Sequence, residues 1–136
     1  MSLRATAIFR PRSGLGQFIP AVVTPAVRAS VQAGLDLIKD AAQAICPVDT
    51  GALRDSITTS IEDLDTTIRG SVGPHTDYAS YVEYGTGRLG SPDAPYGHVM
   101  TWPGMKPQPY MRPAYDENKD AIIDLFRSNL GVALER

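Results

Sequence analysis

The sequence predicts an α+β fold: a small antiparallel β-sheet with a long N-terminal helix and a C-terminal helix packed on one face, and a long irregular loop at about residues 86–109. Three observations lead there. Apolar residues recur with helical spacing near each end of the chain, and two threonine- and isoleucine-rich runs in the middle alternate with period two. Between the second run and the last helix, ten glycines and prolines crowd residues 85–109, which forbids a regular element of useful length.

The elements follow in order. Leu3 to Phe9 (LRATAIF) is short and partly β-branched, and is stopped by the region of Pro11 and Gly14; it reads as an edge strand. Thr24 as N-cap and Pro25 at the first helical position then open a long helix. Its stripe is Val27, Val31, Leu35, Ile38, Ala42 and Ile45, and Pro47 closes it. Gly34 weakens the middle by about 1 kcal/mol relative to alanine, which is tolerable where something packs closely. Asp49 or Thr50 caps a short helical turn with Leu53 pointing inward. Ser56–Leu64 and Thr66–Gly73, broken at Asp65, form an antiparallel hairpin. Tyr78–Tyr84 fits neither period and is a short helix or a strand. The last helix has Pro113 in its first turn, with Asp116, Glu117 and Asp120 favouring the N-terminal end of its dipole. Its buried face is expected to be Tyr115, Ile122, Phe126 (with Leu125) and Leu130.

A chain of 136 residues suits one domain, 1–136, with 1–20 as a basic N-terminal arm or edge strand and 86–109 as an extended loop. Hydrophobic content of 43% and charged content of 21% are those of a globular chain. A net charge of −2 argues against nucleic-acid binding as the main occupation. Residues 1–30 nevertheless carry Arg4, Arg10, Arg12 and Arg28 and no acid, so this arm is either solvated or turned to an acidic surface or a phosphate backbone. The single cysteine, Cys46, rules out an intrachain disulfide and reads as a small apolar plug. No apolar run is long enough for a membrane span, and Arg10, Pro11 and Arg12 interrupt any signal-peptide core, so a cytoplasmic place of assembly is expected.

Catalytic chemistry finds little support. His75 and His98 stand apart, and no CxxC, HExxH, GxSxG or Walker spacing occurs, so no catalytic, cofactor or metal residues are expected. The glycines of GTGRLG (Gly85–Gly90) resemble a dinucleotide loop only superficially. Proline-rich coil follows them, where phosphate binding needs a helix N-terminus. Glu83 is either a general base in an aromatic pocket or a carboxylate bonded to nearby backbone amides or an arginine, and no partner acid accompanies it. Met100, Trp102, Met105, Tyr110 and Met111 belong to residue types enriched where proteins pack on one another. Their loop is an arm for a neighbouring subunit, or it folds back over its own sheet.

Three motifs then occur together: CPVDTGALRDSI (Cys46–Ile57), DYASYVEYGTG (Asp77–Gly87) and QPYMRPAYDENKD (Gln108–Asp120). In order and spacing the chain resembles the small head–tail joining or tail-completion proteins of long-tailed bacteriophages, a group of minor tail components, over about residues 27–130. The N-terminal arm and the 88–106 loop depart from that pattern. The resemblance implies a virion structural protein without enzymatic activity, located in the neck or tail and assembled in the host cytoplasm. It further implies a ring, sixfold at family level, at the head-proximal end of the tail. The expected partners are other copies of the chain, head-connector proteins and tail-tube or tail-terminator proteins, with no membrane and no cofactor. On this reading Tyr81, Glu83, Tyr84, Arg88, Met100, Trp102, Met105, Tyr110 and Arg112 are the subunit-interface candidates. Among them, Tyr81, Glu83 and Tyr84 fix one end of the loop, while Tyr110 and Arg112, with Pro113, fix the other. The competing expectations are a tail-terminator subunit capping the tube, a DNA-contacting connector module using Arg4, Arg10 and Arg12, and a small hydrolase centred on Glu83 and His98.

Overall fold

The computed structural model describes residues 5–9, 20–64, 67–98 and 100–134. Its elements are β1 (Ala5–Phe9), α1 (Pro20–Ile45), α2 (Ala52–Asp55), β2 (Thr58–Leu64), β3 (Thr67–Gly73), α3 (Ala79–Tyr84), a single 3₁₀ turn at Gly87–Leu89, and α4 (Met111–Leu134). The architecture is α+β, as the sequence predicts.

The β2–β3 hairpin pairs antiparallel from Thr58↔Gly73 to Leu64↔Thr67, and β1 pairs antiparallel on the other side of β3, giving the order β1-β3-β2. The central strand contains Gly70, and this glycine brings the long helix close. A Cβ built there would lie 2.5 Å from Val31 Cγ1 and 2.9 Å from Leu35 Cδ1, so the α1 side chains occupy the space it leaves. Gly34, which weakens α1 on propensity alone, has the same use on a neighbouring stripe. A Cβ there would meet Ile122 of α4 at 3.1 Å. Ser30, fully buried, accepts from Asn129 Nδ2 at 2.9 Å and donates to the Ala26 carbonyl at 2.8 Å. Residues 30 and 34 thus face 129 and 122, so α1 and α4 run antiparallel. α1 makes the main contacts with the sheet, and α4 is held chiefly by α1.

Three sequence expectations need correction. α1 begins at Pro20, not at the Thr24–Pro25 pair, which lies inside it. Pro20 offers the same favourable first position. Pro25, having no N–H, then leaves the carbonyl four residues back without its helical donor. At the other end Ile45 is half exposed and Cys46 is buried in its place. The Cys46 amide still donates to the Ala42 carbonyl at 2.9 Å, which carries the helical turn, and the inward stripe, one residue further. In α4, Tyr115 is likewise half exposed. The core at that end is filled by the completely buried Tyr110, and Met111 and Ala114 turn inward beside it. Ile122, Phe126 and Leu130 pack on the core as expected.

The short turn after α1 follows the expected logic with one change of cap. Leu53 is buried, Gly51 (φ +84°) occupies the capping position, and Thr50 Oγ1 accepts the Ala52 amide at 3.3 Å.

Candidate functional site

The ambiguous stretch Tyr78–Tyr84 is helical. Ala79, Ser80 and Glu83 of α3 face inward, and Tyr78 and Tyr81 remain largely exposed. Glu83 is only 4% exposed. Its Oε2 accepts the Tyr110 amide at 2.8 Å and the Met111 amide at 3.0 Å, and its Oε1 accepts the Arg112 amide at 3.0 Å. These are the amides at the start of α4, which the helix itself cannot satisfy, and the next residue, Pro113, has none to satisfy. One carboxylate therefore caps the whole first turn from a distant part of the chain, and its negative charge sits at the positive end of the helix dipole. The bonds span 27 to 29 residues of sequence, so they also bring the two ends of the loop together.

Other contacts complete the closure. The Gln108 amide donates to the Val82 carbonyl at 2.8 Å, and the Ser91 amide to the Tyr84 carbonyl at 2.7 Å. Thr86 and Met105 form an antiparallel bridge, exchanging amide bonds at 2.8 and 3.0 Å. The ladder continues as Arg88 donates to the Trp102 carbonyl at 2.9 Å and Leu89 to the Pro103 carbonyl at 3.0 Å. Glycine is required where the two backbones cross. Gly87 (φ +62°) and Gly104 (φ +73°) face each other, and a Cβ on Gly104 would come within 1.9 Å of the Thr86 carbonyl oxygen. The GTG sequence is thus neither a phosphate cradle nor a loose hinge, but the point at which the outgoing chain locks against the returning one.

Aromatic contacts surround this base. The rings of Tyr81 and Tyr96 meet edge to face with centroids 4.8 Å apart, and the Tyr96 hydroxyl donates to the Gly85 carbonyl. The Arg112 guanidinium lies 5.7 Å from the centroid of the Tyr84 ring, a cation–π distance. Tyr110 points inward, its hydroxyl donating to the Ala79 carbonyl at 3.3 Å. Burial, and then the Glu83 charge, push its phenol well above the usual tyrosine range. The Cys46 thiol is also raised, chiefly by burial, with Arg54 opposing and Glu83 adding to the shift.

The family model described as "Bacteriophage HK97-gp10, putative tail-component" matches residues 16–85, just over half of the chain. The chain belongs to this family of bacteriophage tail components. No curated protein and no solved structure matches it significantly. The matched segment of the tail component runs from α1 through the hairpin to the end of α3, and stops where the loop begins.

The structure sorts the interface candidates of this tail component into two groups. Glu83 and Tyr110 are buried and close the loop within the subunit, and Tyr84 is partly buried against Arg112. Tyr81, Arg88, Met100, Trp102, Met105 and Arg112 are exposed, with Met100 at 62% and Trp102 at 50%. Arg4, Arg10 and Arg12 lie outside the described residues. Arg28, the remaining arginine of the basic segment, forms an exposed ion pair with Asp63 of β2.

The residues of the hydrolase reading are engaged elsewhere or exposed. Both Glu83 oxygens are occupied by amides, His98 is exposed in the loop, and His75 Nε2 lies 2.7 Å from Thr58 Oγ1 at the hairpin. Among the described residues no cluster of His, Cys, Asp or Glu could hold a metal ion, and no helix is long and apolar enough to cross a membrane. Sequence reasoning missed Tyr96 and Gly104, whose roles depend on partners at Gly85 and Thr86 that no local pattern signals.

Proposed function

We propose that this tail component forms a ring at the head-proximal end of the phage tail, where it completes the tail or joins it to the head as a structural subunit. The observation that carries this reading is the presentation of Met100 and Trp102. They are large, apolar and more than half or half exposed, on a loop whose base is locked by the Glu83 cap and the Thr86–Met105 ladder. Exposed Trp and Met are characteristic of protein contacts, and a loop ordered before binding loses less entropy when it docks. A heterologous contact closes into a ring when its rotation divides a full turn, and sixfold closure is the expectation carried by the family resemblance. Neighbours above and below would be head-connector and tail-tube or tail-terminator proteins. A structural role is supported by Glu83, whose carboxylate, buried among the described residues, is spent on a helix cap.

A density map of the whole particle tests the reading. The expected result is one ring of this chain between head and tail. Its absence from purified particles, or its distribution along the tube, would overturn the proposal.

A further inference from the structure

The two halves of α4 are held very differently. At its start Tyr110, Met111 and Ala114 are buried, and the Glu83 carboxylate binds the amides of residues 110, 111 and 112. From Tyr115 to Gly131 no residue is buried. Ile122, Phe126 and Leu130, which face the core there, are only partly covered, and Ile123 beside them is 49% exposed. α1, by contrast, carries a buried residue in every turn from Val27 to Ala42. Attachments of the second half are few. Among the described residues its one side-chain hydrogen bond to another element runs from Asn129 Nδ2 to Ser30 Oγ at 2.9 Å, and its one ion pair, Arg127 with Asp124, is internal. The rest of the seam is a shallow apolar contact, with Ile122 seated over Gly34. Between the halves, the Asn118 side chain donates to the Ala114 carbonyl at 2.8 Å, the carbonyl that its own backbone amide uses in the helix. That competition weakens the ladder at the junction.

We infer that α4 is a two-part element: its start, to Asn118, belongs to the rigid base of the loop, and residues 119–134 form a strap that opens from α1 as a unit while the rest of the subunit stays folded. The stability of a segment against local opening follows the buried apolar contacts it makes, and by that measure the strap opens before α1 or the base. Opening bares a flank of α1, at Ser30 and Gly34, that is buried when the strap is down. The Glu83 cap lies on the other side of the junction, so the loop ends stay tied throughout. The subunit thus carries a conformational switch on one flank that leaves its loop undisturbed.

Hydrogen–deuterium exchange of the purified full chain, followed by mass spectrometry, tests this. Peptides from residues 119–131 are expected to exchange together, roughly tenfold or more faster than peptides from residues 31–42 and 110–118. Equal protection of all three segments would overturn the strap, because α4 would then open only with the whole subunit. Rates that climb smoothly towards residue 131 would also overturn it, as plain fraying of a chain end. Phe126→Ala should speed exchange of residues 119–131 by about tenfold and leave residues 31–42 within about twofold of wild type. Acceleration of every segment alike, or of none, would refute local opening. Ile123→Ala, at an exposed position one turn away, is the control and should stay within about threefold throughout. Should Phe126→Ala fail to fold, the wild-type pattern decides alone.

Discussion

Replacing Glu83 by glutamine removes a charge and almost no volume, so it isolates the cap from the packing. The carboxylate accepts two amides at Oε2 and one at Oε1. A glutamine with its oxygen at the Oε2 position keeps the Tyr110 and Met111 bonds, but its NH₂ then faces the Arg112 amide, donor against donor. Leaving that buried amide unpaired costs about 1–3 kcal/mol. The two surviving bonds change from charge-assisted to neutral, a loss of roughly 0.5–1 kcal/mol each. The helix dipole also loses its counter-charge, and part of the total is recovered because a neutral group is easier to bury. The net expectation is a destabilisation of about 3 kcal/mol, a substantial share of the roughly 5–15 kcal/mol available to a domain. Urea denaturation followed by far-UV circular dichroism measures it as a lowered midpoint at unchanged slope. Glu117→Gln, at an exposed position of α4, is the control and should stay within about 0.5 kcal/mol of wild type. A Glu83→Gln variant within about 1 kcal/mol of wild type would refute the claim that this carboxylate holds the loop ends and starts the last helix.

Two further outcomes are expected. Gly104→Ala places a methyl where only the Thr86 carbonyl fits and demands an unfavourable φ, so the ladder should open; limited proteolysis is expected to cut within residues 87–104 while the core retains its helical circular dichroism. Gly131→Ala, whose Cβ meets nothing within 4 Å on an ordinary helical backbone, should resist cleavage like wild type. The buried Tyr110 phenol keeps its proton in the folded state to higher pH than in the unfolded chain, whose tyrosines ionise near about pH 10. Above that point the unfolded state binds fewer protons, so stability should fall as pH rises, and Tyr110→Phe should flatten the fall measured by denaturant midpoints from about pH 9 to 11.

Much of the scaffold is legible in the residues, because it depends on local periodicity. The Val27-to-Ala42 stripe, the pairing of β2 with β3 and the Pro113 start of the last helix each follow from neighbours within one or two turns, while the expected break at Asp65 lies outside the described residues. The errors have a common origin. Thr24–Pro25 and Pro20 are both competent starts, and propensity cannot rank them. Ile45 and Tyr115 continue their stripes correctly, but Cys46 and Tyr110 fill the core at those ends. For Glu83, the amide-bonded alternative is among the sequence readings. Its three partners lie 27 to 29 residues away, and no spacing rule points to them. The closure of the loop is similarly hidden, since glycines at 87 and 104 announce freedom, while the structure uses them for close backbone approach.

That closure has a consequence for how such a protein can change. Because both ends of the loop are tied to the scaffold at one place, and Ser91 and Tyr96 tie its outgoing half, the scaffold is insulated from what lies between Tyr96 and Trp102. Doubling the length of a flexible segment between fixed ends adds only about 0.6 kcal/mol of closure entropy. Insertions, deletions or replacements there would leave the helices and sheet nearly undisturbed while altering what the subunit can grip. The Glu83 cap therefore acts as a socket: it makes the gripping segment interchangeable, so that one rigid body can be refitted to different neighbours.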